Sequence, residues 1–156
     1  MFISAKNLHY GFDFCPAFWD WIIANNASGR IYSIEKVGDE VLALGDELSA
    51  WADARGAGFF LRPDADVFPA LAAVSTWASG QHYDASAVST FLQVADYYLV
   101  AHSLACQHTV VTHEVPSAST RRIKIPDACI GLGIKCMTPF EMLRRERARF
   151  VLGSLG

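Results

Sequence analysis

The sequence lacks several features that would assign it to a common functional class. Only 19% of its residues are charged, and its 13 basic residues do not outnumber its 16 acidic ones. A broadly basic nucleic-acid-binding surface is therefore not expected, and any such surface must be local. No run of about 18 apolar residues is present, which predicts that the chain does not enter a membrane. The N-terminus shows no secretion signal, so we expect a cytoplasmic protein.

Motifs that identify well-known chemistry are also missing. We find no glycine-rich phosphate loop, no G-x-S-x-G nucleophile turn and no H-E-x-x-H zinc pair. The four cysteines contain no C-x-x-C pair, and their spacing suits neither a zinc finger nor a disulfide framework. We interpret them as reduced, structural thiols.

What the chain does contain is an alternation of helical and strand-like segments. With 156 residues, 52% of them hydrophobic, it is expected to form a single domain over residues 1–156. Strands are predicted in "RIYSI", "AGFFLRPD" and "HTVVTHE", and the C-terminal part is predicted to hold a strand-like piece, a turn and a basic helix. Helices are predicted in "CPAFWDWIIANNASG", "EKVGDEVLALGDELSAWADARG" (one or two), "VFPALAAVSTWASG" and "DASAVSTFLQVADYYLVAHSLACQ" (one or two). This order predicts an α/β fold with a mostly parallel central sheet covered on both faces.

Acidic residues stand where such a sheet would place a site, beyond the carboxyl ends of its strands. Asp96 opens the helix before "HTVV", Glu114 follows that strand, and Glu40 lies in the helix after "RIYSI", with Glu35 as its rival. A buried-looking acid at each end of one helix–strand unit is costly unless a cation lies between them. The spacing therefore suggests a cation site.

A simpler interpretation stays open for each of these residues. Most acids are solvated, and Asp96 could be only a helix N-cap. The run "RRERAR" is more typical of a solvated helix face than of an RNA-binding patch. Arg121, Arg122 and Lys124 form a better basic patch, because a turn followed by a strand edge would bring them near Glu114.

Longer stretches carry a family resemblance. "ADYYLVAHSLACQHTVVTHE" resembles the third and fourth acidic segments of PIN-domain ribonucleases, the fold of VapC-type toxins, with Asp96 opening the helix and Thr112 and Glu114 ending the strand. "SIEKVGDEV" resembles the second segment, whose acid best matches Glu40. "YGFDFCPAFWDW" and "RRIKIPDAC…GIKCMTPFEMLR" look like an uncharacterised PIN-like subfamily, so the resemblance covers nearly the whole chain.

The resemblance implies a three-layer α/β/α PIN-like domain that cleaves RNA with Mg²⁺ or Mn²⁺, the toxin of a toxin–antitoxin pair. An antitoxin protein would then be a partner besides the RNA substrate. The implied roles are metal binding for Asp96, Glu114 and Glu40, orientation of a carboxylate or water for Thr112, and phosphate binding for Arg121, Arg122 and Lys124.

One departure from the family pattern is expected to matter. The start "MFISAKNLHYGFDF" resembles the segment that comes after the first strand and first acid of PIN domains, so the first strand is expected to be missing. The exposed strand edges would then favour an altered N-terminus or self-association, for example as a homodimer. The alternative function is a catalytically impaired PIN-like binding or oligomerisation module.

Overall fold

The computed structural model describes residues 1–151 and shows a mixed α/β chain with short parallel strands. A π-helix (Ala5–His9) and a 3₁₀-helix (Gly56–Gly58) accompany the α-helices. The strands are β1 (Ser33–Ile34), β2 (Phe60–Leu61), β3 (Val110–Val111) and β4 (Cys136–Met137). The α-helices are α1 (Phe2–Ser4), α2 (Pro16–Ala27), α3 (Glu35–Leu42), α4 (Glu47–Asp53), α5 (Val67–Gly80), α6 (Ala85–Phe91), α7 (Ala95–Cys106), α8 (Ile125–Leu132) and α9 (Pro139–Arg145).

The strands form two separate parallel pairs. In the first pair β1 lies beside β2, with Ser33 opposite Phe60. In the second pair β3 lies beside β4, with Val110 opposite Cys136. Within residues 1–151, strand pairing does not join β1 to β3. The parallel direction predicted from the alternating pattern is confirmed, although each strand is only two residues long.

The described residues form two hydrophobic cores. The aromatic core contains Phe60 of the first pair, and Val111 and Met137 of the second pair also pack against it. The aliphatic core takes Val110 and Cys136 of the second pair. The aromatic core contains Phe2, Phe18, Trp19, Ile22, Val41, Leu48, Phe59, Phe60 and Met142 among its buried members. The aliphatic core contains Val67, Ala70, Val74, Ala78, Phe91, Val100, Ala101, Val110, Ile125, Ala128 and Cys129.

Local sequence explains where the helices begin and end. Pro16 occupies the first position of α2, where its missing N–H costs nothing. The predicted "helix or pair" after β1 is a pair: Gly45 takes a left-handed φ of 68°, and the Asp46 side chain accepts from the backbone N–H of Ser49 to begin α4. The helices predicted in "CPAFWDWIIANNASG" and "VFPALAAVSTWASG" are confirmed as α2 and α5.

The C-terminal part contains a helix, α8, that was not predicted. Pro126 suits its first helical turn, and Gly133, with φ of 70°, ends it. The strand in this region comes later, as β4. The basic helix exists as α9 but ends at Arg145, so most of "RRERAR" lies beyond it.

Among the described residues, no helix combines the length and the apolar character needed to cross a bilayer.

Candidate acidic site between the two strand pairs

A cavity of about 390 Å³ lies between β1 and β3. Residues 29–34 line one side of it and residues 108–112 line the other. Glu40, Asp96 and Thr112 lie at its wall near the carboxyl ends of these strands. The segments "RIYSI" and "HTVVT" therefore face the same space without being hydrogen-bonded neighbours.

Asp96 is the centre of the acidic site. It is the second residue of α7, and the cap position is held by Val94, so the interpretation of Asp96 as a helix N-cap is wrong. Burial raises the pKa of its half-buried carboxyl, and the negative charges of Glu114 and Glu40 raise this pKa further. The Met1 ammonium and the Arg122 guanidinium oppose this shift only in part. The structure thus brings all three predicted acids into one electrostatic neighbourhood.

Glu40 reaches the site from the first strand pair. Its Oε1 accepts a hydrogen bond of 3.1 Å from the backbone N–H of Ala95, the first residue of α7. Like the other N–H groups of a first helical turn, this N–H has no partner within the helix. The rival acid Glu35 instead forms an ion pair with Arg62, at 2.9 Å between Oε1 and Nε. Of the two alternatives, the structure places Glu40 near Asp96.

Glu114 is held on both oxygens. Its Oε1 accepts from Arg122 Nη2 at 2.9 Å, and its Oε2 accepts from the backbone N–H of Ile125, the first residue of α8, at 2.9 Å. Thr112 fixes the local backbone, since its buried Oγ1 accepts from the N–H of Glu114 at 3.1 Å. Thr112 thus positions Glu114 through the main chain.

The predicted basic patch is only partly assembled at the site. Arg122 is the member that contacts an acid, and its side chain is 67% exposed in that ion pair. Arg121 is exposed, and Lys124 is the half-buried residue that precedes α8. Neither of these two forms an ion pair within residues 1–151.

Two groups near the acids carried no signal in the sequence. Burial lowers the pKa of the Met1 ammonium, while the charges of Asp96, Glu114 and Glu40 raise it, so all three carboxylates act on this amine. The His113 ring stacks on His9 with ring centres 4.8 Å apart. Burial lowers the pKa of His113, and the charges of His9 and of the Met1 ammonium lower it further. Only folding brings the first nine residues next to residues 113 and 114.

The donor atoms of the site fit a hard divalent cation. Carboxylate oxygens are the ligands that Mg²⁺ and Mn²⁺ prefer. Like charges raise the pKa of the Asp96 carboxyl, and a bound cation would stabilise its ionised form by neutralising them. The part of the chain that the structure describes holds no group of three His, Cys, Asp or Glu side chains placed to share one ion. The three acids are therefore electrostatic neighbours and not a ready-formed ligand set.

In comparison with known proteins, a family model described as a domain of unknown function, DUF4411, matches residues 1–150. No curated protein and no solved structure matches the chain.

Proposed function

The chain belongs to the DUF4411 family, and from its acidic site we propose that it is a metal-dependent ribonuclease of the PIN/VapC type, the toxin of a toxin–antitoxin pair. The observation that carries the proposal is the grouping of Glu40, Asp96 and Glu114. These acids come from two helices and a loop, yet the charges of Glu40 and Glu114 act on Asp96. Like charges brought together in this way oppose folding, and carboxyls with raised pKa values concentrate at functional sites.

The arrangement of strands supports a three-layer PIN-like architecture. Two parallel pairs, β1–β2 and β3–β4, stand on either side of one cavity, and helices pack beside each pair. In the PIN-like resemblance the first strand would lie between β1 and β3. The cavity lies in that place.

In the proposed reaction, Asp96, Glu40 and Glu114 would hold Mg²⁺ or Mn²⁺. When bound, the ion supplies activation of a water and stabilisation of charge on the phosphodiester. Thr112 keeps the Glu114 backbone in place through its Oγ1. Arg122 pairs with Glu114 at an exposed position, so its guanidinium is able to exchange that carboxylate for an RNA phosphate.

Arg121 and Lys124 lie on either side of Arg122 in sequence and extend the basic edge available to RNA. Each is proposed to contact one phosphate. Replacing either with Ala should then weaken RNA binding and reduce its dependence on salt by about one counterion.

A second candidate is a PIN-like binding or oligomerisation module with an impaired nuclease site. It is favoured by the state of Glu114, whose two oxygens are both engaged by Arg122 and the Ile125 N–H. Glu114 must therefore break its ion pair with Arg122 before it can bind a metal. Metal-dependent cleavage separates the two candidates.

The test is cleavage of fluorogenic single-stranded RNA with Mn²⁺. It would compare the 156-residue chain with a longer chain that also contains the residues encoded upstream of Met1. Asp96→Asn and Glu114→Gln should abolish cleavage in the more active of the two, because each removes one ligand charge at nearly constant volume. Asp53→Asn, an exposed acid on α4, is the matched control. Cleavage that persists unchanged in Asp96→Asn, or no metal-dependent cleavage by either chain, would refute the nuclease proposal.

A further inference from the structure

Two of the four cysteines are brought together by the turn between α8 and β4. Cys129 lies in α8 and Cys136 begins β4, seven positions further along the chain, and both are free thiols. Between them Gly133 takes a left-handed φ of 70°, and the N–H of Ile134 donates to the Cys129 carbonyl at 2.8 Å. The strand therefore returns onto the helix, and the two side chains form a hydrogen bond between their thiols.

The two thiols differ in their access to solvent. Cys129 is fully buried in the aliphatic core, whereas Cys136 packs against the same core and stays partly exposed. A reagent from solution therefore meets Cys136 first. An accessible thiol beside a second, resolving thiol is the arrangement typical of cysteines that undergo reversible oxidation.

The surroundings favour the thiolate form of Cys136. The hydrogen bond from Cys129 lowers the pKa of Cys136, and the backbone N–H of Met137 lowers it further. Burial and the charges of Glu141 and Glu114 oppose this shift. The same hydrogen bond raises the pKa of Cys129, and burial raises it further. The thiolate is the nucleophile in thiol chemistry, so Cys136 is the attacking group while Cys129 keeps its proton.

From this arrangement we propose that Cys136 and Cys129 form a dithiol site that reacts with low-molecular-weight disulfides and closes to an intramolecular disulfide. The Cys136 thiolate attacks one sulfur of the small disulfide, forms a mixed disulfide with it and releases one thiolate. Cys129 then loses its proton, and its sulfur attacks Cys136 Sγ, which breaks the mixed bond and releases the second thiolate. Two electrons pass from the dithiol to the small disulfide, and the two released thiolates take up the two cysteine protons.

The new bond would join the two elements that hold Glu114. The first N–H of α8, that of Ile125, donates to Glu114 Oε2 at 2.9 Å. The Met137 carbonyl of β4 accepts from the N–H of Thr112 at 3.0 Å, and Thr112 Oγ1 accepts from the N–H of Glu114. Oxidation therefore restrains α8 and β4 relative to one another beside the acidic site. The dithiol chemistry itself holds whether or not the chain cleaves RNA.

The test places the folded 156-residue chain in mixtures of oxidised and reduced glutathione, blocks the remaining thiols with N-ethylmaleimide and measures the mass. As the share of oxidised glutathione rises, the chain should lose two of its four blockable thiols, and peptide mapping should link Cys129 to Cys136. In urea, where folding no longer places the two thiols together, the equilibrium constant for closing the disulfide should fall by on the order of tenfold or more.

Substitutions separate the roles of the two thiols. In Cys129→Ala the resolving thiol is gone, so glutathione should remain attached at Cys136. In Cys136→Ala the buried Cys129 should take up no glutathione. Cys106→Ala removes an exposed thiol elsewhere in the molecule, and this control should form the link as readily as the wild-type chain does. Circular dichroism checks that each variant is folded, and the mapping of the wild-type chain does not depend on them.

The proposal is overturned if the folded wild-type chain keeps four blockable thiols in the most oxidising mixture, or if the link closes as readily in urea as in the folded chain. It is also overturned if folded Cys129→Ala carries glutathione at Cys106 and not at Cys136. RNA cleavage is a separate readout, so failure here and failure of the nuclease proposal are distinguishable.

Discussion

The aromatic core and the aliphatic core are built in different ways. The aliphatic core is drawn from residues 67–129, and its main contact is between α5 and α7. The aromatic core joins residues 2–60 to Met142 of α9, so it depends on both ends of the described chain. One core can therefore form from a continuous stretch, whereas the other requires closure of a long loop before its contacts form. The acidic site lies between them.

The two cores also differ in the size of their side chains. Small residues such as Ala70, Ala78 and Ala101 allow α5 and α7 to pack closely. The aromatic core instead interlocks rings, with Trp19 stacked on Phe12 at 4.3 Å between ring centres and edge-on to Trp51 at 5.0 Å. A large ring with many partners is harder to replace than a small aliphatic residue.

The largest expected effect comes from removing the centre of the aromatic core. Trp19 is 2% exposed, and its Nε1 donates to the carbonyl of Tyr10 at 2.7 Å. Trp19→Ala should lower the free energy of unfolding by about 3–5 kcal/mol, as measured by urea denaturation. In native-state hydrogen exchange, α2 and α3 should lose protection while α5 and α7 retain more. Equal loss in all four helices would mean that the two cores unfold as one unit.

A smaller effect is expected from a close approach at the edge of the aliphatic core. A Cβ on Gly131 would overlap the Trp77 indole nitrogen, so Gly131→Ala must displace the ring or α8. We expect a loss of about 1–3 kcal/mol in denaturant unfolding. Gly80→Ala is the control, since open space surrounds a Cβ at that position. Equal stabilities of the two variants would show that the Trp77 ring moves away freely.

In contrast to the two core substitutions, neutralising Asp96 in the acidic site should increase the stability of the folded protein. The pKa of Asp96 is raised in the folded protein, so its carboxyl binds protons more tightly there than in the unfolded chain. Stability attributable to Asp96 therefore falls as pH rises from its unfolded pKa of about 3.9 through its folded pKa. Asp96→Asn removes this cost and should raise the thermal midpoint at pH 7.

The advantage of the Asn variant should shrink as the pH falls towards about 4, where the Asp96 carboxyl is increasingly protonated in the folded wild-type protein. Thermal melts at both pH values check this, with Asp53→Asn as the exposed control. A midpoint lowered at pH 7 by Asp96→Asn would mean that the carboxylate is stabilising and that the cleft is not a strained acidic site.

The smallest effect on stability is expected from Arg122→Ala. Its ion pair with Glu114 is exposed, and such pairs contribute about 0.2–1 kcal/mol. The same substitution removes a positive charge that holds the pKa of Asp96 down. A carboxyl titration followed by NMR should therefore show a higher Asp96 pKa, with Arg121→Ala as the control. An unchanged titration would place the guanidinium too far from Asp96 to act on it.

Sequence patterns predicted the helices better than the strands. The apolar spacing and the end signals of α2 and α5 were sufficient because helix contacts are local. The strand segments were located, but "RIYSI" and "HTVVT" form only two paired residues each. Strand length depends on the neighbour available for pairing, which is a property of the fold. Helix α8 was not predicted, although Pro126 in its first turn is a helix-start signal.

Predicting the site required information that periodicity does not contain. The positions of Glu40, Asp96 and Glu114 came from strand-end reasoning and from the family resemblance. The engagement of Glu114 by Arg122 was anticipated as proximity, whereas its bond to the Ile125 N–H depends on a helix that was not predicted. Met1 lines the same cavity as Glu40 and Asp96, and the sequence carries no local signal for this long-range placement.

The position of Met1 has a practical consequence for protein production. An affinity tag fused in front of Met1 replaces its ammonium with a neutral amide, and the added peptide begins at the wall of the cavity that Glu40 and Asp96 also line. Preparations tagged at the N-terminus would then differ from C-terminally tagged ones in cleft charge and in access to the cavity. Binding or cleavage measured on the two preparations should be compared before either is taken to represent the protein.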